Sequence, residues 1–540
     1  MSPISPKRTV FAVVVLSSLV LSFFFASPFI TLFSTDSPSQ NPLGDDYGYS
    51  GTINDIRKRQ FPQLSDNVYL DYAGAGIPAK TQAQQLYDLL TTSSLGNPHT
   101  RSPSSQRSTK GVNDARKAVM KHFNLSPDQY SVIFTSGTTA GLRMISEGLS
   151  FTSDSNFVYT IDNHVSVLGM RKSVLSAGGH FKALHFNEVF EYVSSINSEL
   201  QQLNKTNAIN IFAFPAQSNF AGNRYPLDII NKIYQDCDEK GVRRWLITLD
   251  AASMVSCCCF NMSNIESSPD FLPISFYKMF GYPTGLGALI AKNSALDLVN
   301  PSYFGGGTVT AVLPDRDWEV KRKSHAARLE FGTISFTDIS SLTFGLDFME
   351  QLGMENIAKH TMSLTYHLAE NLANLTHSNG QPLVCLYGNF PNSTKSMPGS
   401  VGQGPIVAFT LKKSNGETIP HSAVLKHCTN NNISIRAGCV CNHGSCFYMA
   451  GVADEEVYAR FKAGCECDGG CCASVGELPG QVNQNLIDKS FVSLRSQNHC
   501  WEDFYPRGQF AGILRASIGA PTTLEDVNAL VEALKYFIDS

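Results

Sequence analysis

The chain reads as an α/β protein: a mainly parallel, helix-flanked sheet in a large domain, with a smaller α+β domain beside it. The first observation behind this is a series of short apolar runs rich in β-branched and aromatic residues, VIFT, FVYTI, INIFAF, LITLD, FLPISF and GLGALIA. The second is that helical or loop stretches separate them, the pattern of strands joined by crossovers in a sheet covered on both faces. The third is composition. With 43% hydrophobic and 16% charged residues over 540 positions, the chain can bury a substantial core. A formal charge of -4 supplies no basic excess, which argues against a nucleic-acid partner.

Residues 1–34 form an apolar leader. After Lys7 and Arg8, positions 10–33 are almost wholly apolar. That length can cross a bilayer as a helix, so a single-pass membrane anchor is expected. A cleaved signal peptide is the alternative, although its apolar core would be shorter and Ala26–Ser27 is a weak cleavage context. Basic residues before the segment and acidic ones after it favour a cytosolic start. Free thiols further on favour a reducing compartment for the rest, so sidedness stays open, with a cytoplasmic location as the other reading. The sequons beginning at Asn124, Asn204, Asn261, Asn374, Asn392 and Asn432 arise readily by chance in an Asn-rich chain.

Residues 35–64 read as a flexible linker. Residues 65–110 open the smaller domain, 111–340 make the large domain, and 341–540 complete the smaller one, with a site in the cleft between. The run at 343–375 has long helical character and suits a connector. The Pro-, Gly-, Asn- and Ser-rich stretches near 380–404 and 473–485 read as surface loops.

Within the large domain, YSVIFT runs directly into SGTTAGLRMISEGL: a buried strand, a tight turn at Ser136–Gly137, and a helix start. Unpaired N–H groups there, with the hydroxyls of Ser136, Thr138 and Thr139, suit a phosphate. Simple N-capping explains the hydroxyls equally well when they are taken alone. FVYTIDNH ends a strand at His164, where an imidazole can lie flat on an aromatic ring, although a lone histidine is more often structural.

The deciding pair lies downstream. Asp250 closes the run WLITLD, and Lys278 follows in SFYKMFGYPTGLGAL. Singly, each has a commoner explanation, a turn or cap for the aspartate and solvated surface for the lysine. Together and in this order they suit pyridoxal 5'-phosphate: an amine to form a Schiff base with the cofactor aldehyde, and a carboxylate to keep the pyridine nitrogen protonated.

TSGTTAGL, DNHVSVLGMR, QSNFAG, LDAAS, SFYK and IRAGCVCNHGSC, in this order, resemble class V (cysteine desulfurase type) pyridoxal phosphate enzymes of fold type I. Within these they resemble the amino-terminal domain of the molybdenum cofactor sulfurase family, over roughly residues 65 to 538. The resemblance implies that Lys278 carries the cofactor, Asp250 pairs with the pyridine nitrogen, and His164 stacks on the ring. It places Asn219 against the phenolic oxygen, and Gly137, Thr138, Thr139, Ser275 and Tyr277 around the phosphate. Gly332 and Thr333 would complete a phosphate site across a homodimer interface. One departure is Ser253, where relatives often carry a glutamine.

The same resemblance matches Cys441 to a nucleophilic cysteine that takes sulfur from L-cysteine as a persulfide, releasing alanine, with Cys439 a second thiol close by. Arg436 and His443 are candidates to favour the thiolate, and Gly438 and Gly444 to loosen the loop. Arg515 would hold the substrate carboxylate, since its planar fork matches two oxygens. The resemblance points to the molybdenum cofactor, or a protein carrying it, as sulfur acceptor. Full-length sulfurases carry a further domain for that cofactor, and this sequence stops at Ser540, so sulfur mobilisation is the better supported half.

Other readings stand beside this one: another class V enzyme, a transaminase or lyase, with Cys441 a bystander, or a non-catalytic, membrane-tethered thiol-rich binding protein. The cysteines between 439 and 472, including CECDGGCC at 465–472, raise metal binding. Without a CxxC pair their spacing is poor for a zinc knuckle, and no metal site is assigned. CCC at 257–259 reads as small apolar packing.

Overall fold

The protein is described by a computed structural model covering residues 43–203, 208–235, 245–258, 260–394, 402–451 and 512–540. Each of the six short apolar runs read as strands forms a strand of one seven-stranded sheet. In chain order these are β1 (Tyr130–Thr135), β2 (Asn156–Thr160), β3 (His180–Leu184), β4 (Asn210–Pro215), β5 (Trp245–Asp250), β6 (Phe271–Ser275) and β7 (Gly287–Lys292). Their spatial order is β1-β7-β6-β5-β4-β2-β3. β7 runs against both its neighbours and every other pairing is parallel. The edge strand β3, HFKAL, carries no apolar run, because most of its side chains face solvent.

Helices cover the sheet. α1 (Pro103–His122) starts at Ser102, whose side chain accepts from the Ser105 N–H. α2 (Thr138–Gly148) lays Leu142 and Ile145 onto Ile133, Phe157, Phe271 and Leu289 of the sheet, all fully buried. Each such side chain contributes roughly 1.5–3 kcal/mol of burial free energy. α3 (Phe276–Phe280) follows β6 directly. The helical run at 343–375 is two helices, α4 (Phe336–Leu352) and α5 (Met354–Ala373), divided at Gly353, whose φ of 82° stops the first.

A second, four-stranded sheet has the order β8-β9-β11-β10, built from β8 (Val384–Tyr387), β9 (Ile406–Leu411), β10 (Arg436–Gly438) and β11 (Ile513–Ser517). α6 (His443–Ala450) follows β10, and α7 (Leu524–Leu534) follows β11 behind a Thr523–Asp526 capping box. β8 falls inside the stretch expected as a loop near 380–404. Val68–Tyr69 pairs in parallel with Ile433–Ser434, and Asp71 bridges Ser517, so an early segment of the chain joins this late sheet.

Two expectations about the first residues change. The stretch 35–64, read as a flexible linker, is folded from residue 43 onward: Ile53–Gln60 is helical, Tyr47 and Tyr49 pack against the buried His360 ring, and Arg57 pairs with Asp526 at 2.9 Å. The single-pass membrane anchor is also corrected. Among the described residues no helix is long and apolar enough to cross a membrane, and the apolar run 10–33 lies outside them. The longest described helices, α1 and α5, each bury one stripe and expose the other, which suits a protein core and not lipid.

Candidate active site

The parallel strands end on one side of the sheet, and the loops leaving those ends supply the site. β1 leads through Ser136 and Gly137 into α2, β2 into Asp162–His164, and β4 into Gln217–Asn219. β5 ends at Asp250, and β6 leads through Ser275 into α3, which carries Lys278. The enclosed space is a cavity of about 190 Å3. Gly137, Thr138, Thr139, His164, Asn219, Asp250, Ser253, Ser275, Tyr277 and Lys278 all line it, so these predicted site residues meet in one place.

The turn after β1 is shaped for close approach. Gly137 has a φ of 125°, a conformation side chains resist, and a Cβ there would touch the Ser275 hydroxyl. The Thr138 N–H donates to Ser275 Oγ at 2.9 Å, and the two hydroxyl oxygens lie 2.8 Å apart. Thr139 and Ser166 share a 2.8 Å hydroxyl contact. Donors at the amino end of an eleven-residue helix, ringed by hydroxyls, form a cradle that fits a phosphate.

Across the cavity, Asp250 is buried, and among the described residues its side chain takes one hydrogen bond, from the Ala252 N–H at 3.0 Å. That leaves acceptor capacity for a protonated ring nitrogen. Burial pushes the Lys278 ammonium below its ordinary pKa, and Arg515 and Arg436 push the same way, while Asp250 and Cys441 oppose them. A lysine so placed gives up its proton more easily and becomes a nucleophilic amine. His164 is also pushed down by burial, against Asp250, which favours its neutral form. Its Nδ1 accepts from the Ser166 N–H at 3.2 Å, which leaves the proton on Nε2 and fixes the ring.

The cysteine loop closes over Asn219. Asn219 Nδ2 donates to the Val440 carbonyl at 2.6 Å, and the Val165 N–H donates to the Cys441 carbonyl at 3.0 Å. Cys441 is half-buried and outside any disulfide, whereas Cys439 is buried and bonded to Cys446. Cys439 is therefore not the second free thiol expected; its sulfur ties the start of the loop to α6. Burial lowers the His443 pKa, so this side chain is neutral near pH 7 and supplies no positive charge to a thiolate. Gly444 sits in the first turn of α6, where a Cβ would collide with the Ile161 carbonyl, so close packing is its reason for being glycine.

Arg515 is 2% exposed; it donates from Nη1 to the Asn219 carbonyl at 2.7 Å and from Nη2 to Asp71 at 2.8 Å. Arg436 holds the other Asp71 oxygen at 2.7 Å. Gly332 and Thr333 do not line the cavity. Gly332 takes a φ of 74°, and exposed Thr333 accepts from Asn97 at 3.4 Å. The cysteines at 465–472 lie outside the described residues.

Three site residues went unrecognised in the sequence. Gln217 lines the cavity and donates to the Ser253 hydroxyl at 3.2 Å, placing an amide beside the position where a glutamine was missed. Its place in QSNFAG, two residues before Asn219, was the available signal. Asp71 and Asn442 act through contacts far apart in sequence and left no local pattern.

A family model, aminotransferase class-V, matches residues 68–453. The chain is 35% identical to the molybdenum cofactor sulfurase of Homo sapiens over 511 residues, covering 92% of this chain and 52% of that protein. It is 35% identical to the molybdenum cofactor sulfurase of Oryza sativa subsp. japonica over 526 residues, with 91% and 59% covered. The chain thus spans little more than half the length of these relatives. Among solved structures it superposes on the cysteine desulfurase CsdA (S-sulfonic acid) of Escherichia coli with a TM-score of 0.64 at 18% identity, covering 90% of this chain and 98% of that one. The cysteine desulfurase of Thermococcus onnurineus NA1 gives the same values. The fold is that of the pyridoxal phosphate-dependent transferases of fold type I. From the strand ends that gather Asp250 and Lys278 to the family model spanning most of the folded residues, the chain belongs to the class-V aminotransferase family.

Proposed function

We propose that this chain is a pyridoxal phosphate-dependent cysteine desulfurase-like enzyme of the molybdenum cofactor sulfurase type. The observation that carries the reading is that Lys278 and Asp250 share one cavity while the Cys441 loop is bonded to Asn219 at its rim. Bound cofactor supplies an electron sink for negative charge developing beside the substrate amine. Lys278 anchors it and moves protons at Nζ, Asp250 holds the ring nitrogen proton, and His164 packs on the ring. The α2 amino terminus, with Thr138, Thr139, Ser275 and Tyr277, holds the phosphate, and Gln217 and Ser253 offer polar contacts to the ring.

In this reading L-cysteine is the substrate and Arg515 orients its carboxylate. The Cys441 thiolate attacks the substrate sulfur; an S–S bond forms as the C–S bond breaks, the carbon keeps the electron pair, takes a proton and leaves as alanine. The persulfide on Cys441 then passes to an acceptor, with the molybdenum cofactor or a protein carrying it as the candidate. The homodimer, with Gly332 and Thr333 reaching a neighbouring phosphate, belongs to the proposal, as does the division into a large domain at 111–340 and a smaller one from 65–110 and 341–540.

The test is direct. Purified protein should be yellow, borohydride should fix the cofactor on Lys278, and incubation with cysteine should add one sulfur to the 436–446 peptide. Lys278→Ala should abolish turnover. A Cys441→Ala protein that releases sulfide at the normal rate overturns sulfur transfer through this residue and favours a lyase.

A further inference from the structure

The residue after Cys441 has no assigned part, yet it is fully enclosed: Asn442 is 0% exposed. Its Nδ2 donates to the Asp162 carbonyl at 2.6 Å, to Asn219 Oδ1 at 3.0 Å and to Ser218 Oγ at 3.3 Å. Its Oδ1 accepts from the Ser445 N–H at 3.1 Å and so caps α6. One amide thus serves two ends: its oxygen starts a helix, and its nitrogen grips the loops leaving β2 and β4, the same loops that carry His164 and Asn219 into the cavity.

The loop needs that grip. Val440 and Cys441 have φ values of 47° and 58°, a left-handed conformation that costs L-residues roughly 1–2 kcal/mol each. Such a turn persists only where surrounding bonds determine it. Those bonds include the Asn219–Val440 and Val165–Cys441 contacts on one side and the Asn442 amide on the other, beside the Cys439–Cys446 disulfide.

We propose that Asn442 is a positioning residue that docks the Cys441 loop in its inward, sulfur-accepting arrangement, and that releasing its Nδ2 contacts is what lets the loop carry sulfur outward. The proposal rests on the reading of Cys441 as the sulfur acceptor. The bland alternative is that Asn442 only caps α6, and the two atoms of its amide separate these roles. Asn442→Asp and Asn442→Ser both keep a capping oxygen, but neither can make the Nδ2 bonds.

The experiment uses cofactor-loaded protein. Without cysteine, the rate at which iodoacetamide alkylates Cys441, read by peptide mass, should rise roughly tenfold in both variants. With cysteine, single-turnover persulfide formation on Cys441 should fall roughly tenfold or more, the scale on which a misplaced reacting group is felt, while the cysteine KM stays near the parent's. Alkylation and persulfide rates equal to the parent in a folded variant would overturn the proposal and leave Asn442 a cap. A parent enzyme that forms no persulfide on Cys441 would sink the sulfur-acceptor reading instead, and the alkylation contrast would still decide whether Asn442 docks the loop.

Discussion

The Asp71 carboxylate accepts a 2.8 Å hydrogen bond from Arg515, the residue matched to substrate-carboxylate binding, across 444 positions of chain. Its other oxygen takes Arg436 at 2.7 Å. Removing this acid takes away the carboxylate that Arg515, whose side chain is 2% exposed, holds at 2.8 Å. Asp71→Ala should therefore cost about 3 kcal/mol, the scale for breaking a buried ion pair by removing one partner. A lowered denaturation midpoint at unchanged slope is the expected readout.

Asp162 lies beneath the cysteine loop, and burial raises its carboxyl from 3.8 to about 6. Between those values the folded protein holds a proton that the unfolded chain has released, so this group's contribution to stability is complete below pH 3.8 and is lost as pH rises through about 6. Asp162→Asn keeps the oxygen that accepts from Tyr225 at 3.1 Å without the charge. Its melting temperature should exceed the parent's at pH 7.5, and the gain should vanish by pH 3.5.

His360 works in the opposite sense. It accepts from the Gly48 N–H at 3.1 Å and faces the Thr522 carbonyl at 3.0 Å, and burial lowers its pKa from 6.5 to about 3. The unfolded chain binds a proton here first, so stability is complete above pH 6.5 and is lost as pH falls toward 3. His360→Leu should be less stable at pH 7 by about 2 kcal/mol, because it strands a buried donor and acceptor. Its acid limb should also be flatter, as urea denaturation from pH 4 to pH 7 would show.

The Cys439–Cys446 disulfide separates the thiols of the loop chemically. Iodoacetamide added without reductant should label Cys441 and spare Cys439 and Cys446, and labelling of all three should require prior reduction. Cys446→Ser should lower stability by about 2 kcal/mol, the scale for opening a short covalent loop.

Much of this site was legible because its parts are local. A strand running into SGTT, an aspartate closing WLITLD and a lysine in SFYK each carry their geometry within a few residues, and the sheet then brings them together. What escaped depends on distant partners. Asp71 gains meaning only when β10 and β11 present Arg436 and Arg515 to it, and Asn442 only when β2 and β4 end beneath it. Cys439 read as a second thiol because pairing with Cys446 requires α6 to turn back over the loop. The strand β3 hid because an edge position leaves it half solvated, and the apolar run 10–33 suggested a bilayer span that no described helix provides.

The bridge from Asp71 to β11 also has a consequence for how the chain is made. A ribosome delivers the hydroxyl-ringed helix start, the aspartate and the lysine long before residues 513–517, and Arg515, proposed to orient the substrate carboxylate, arrives with that strand. Contacts so distant in sequence form late and slowly. On the proposed reading, the nascent chain should thus acquire the residues that hold its cofactor before the one that orients its substrate.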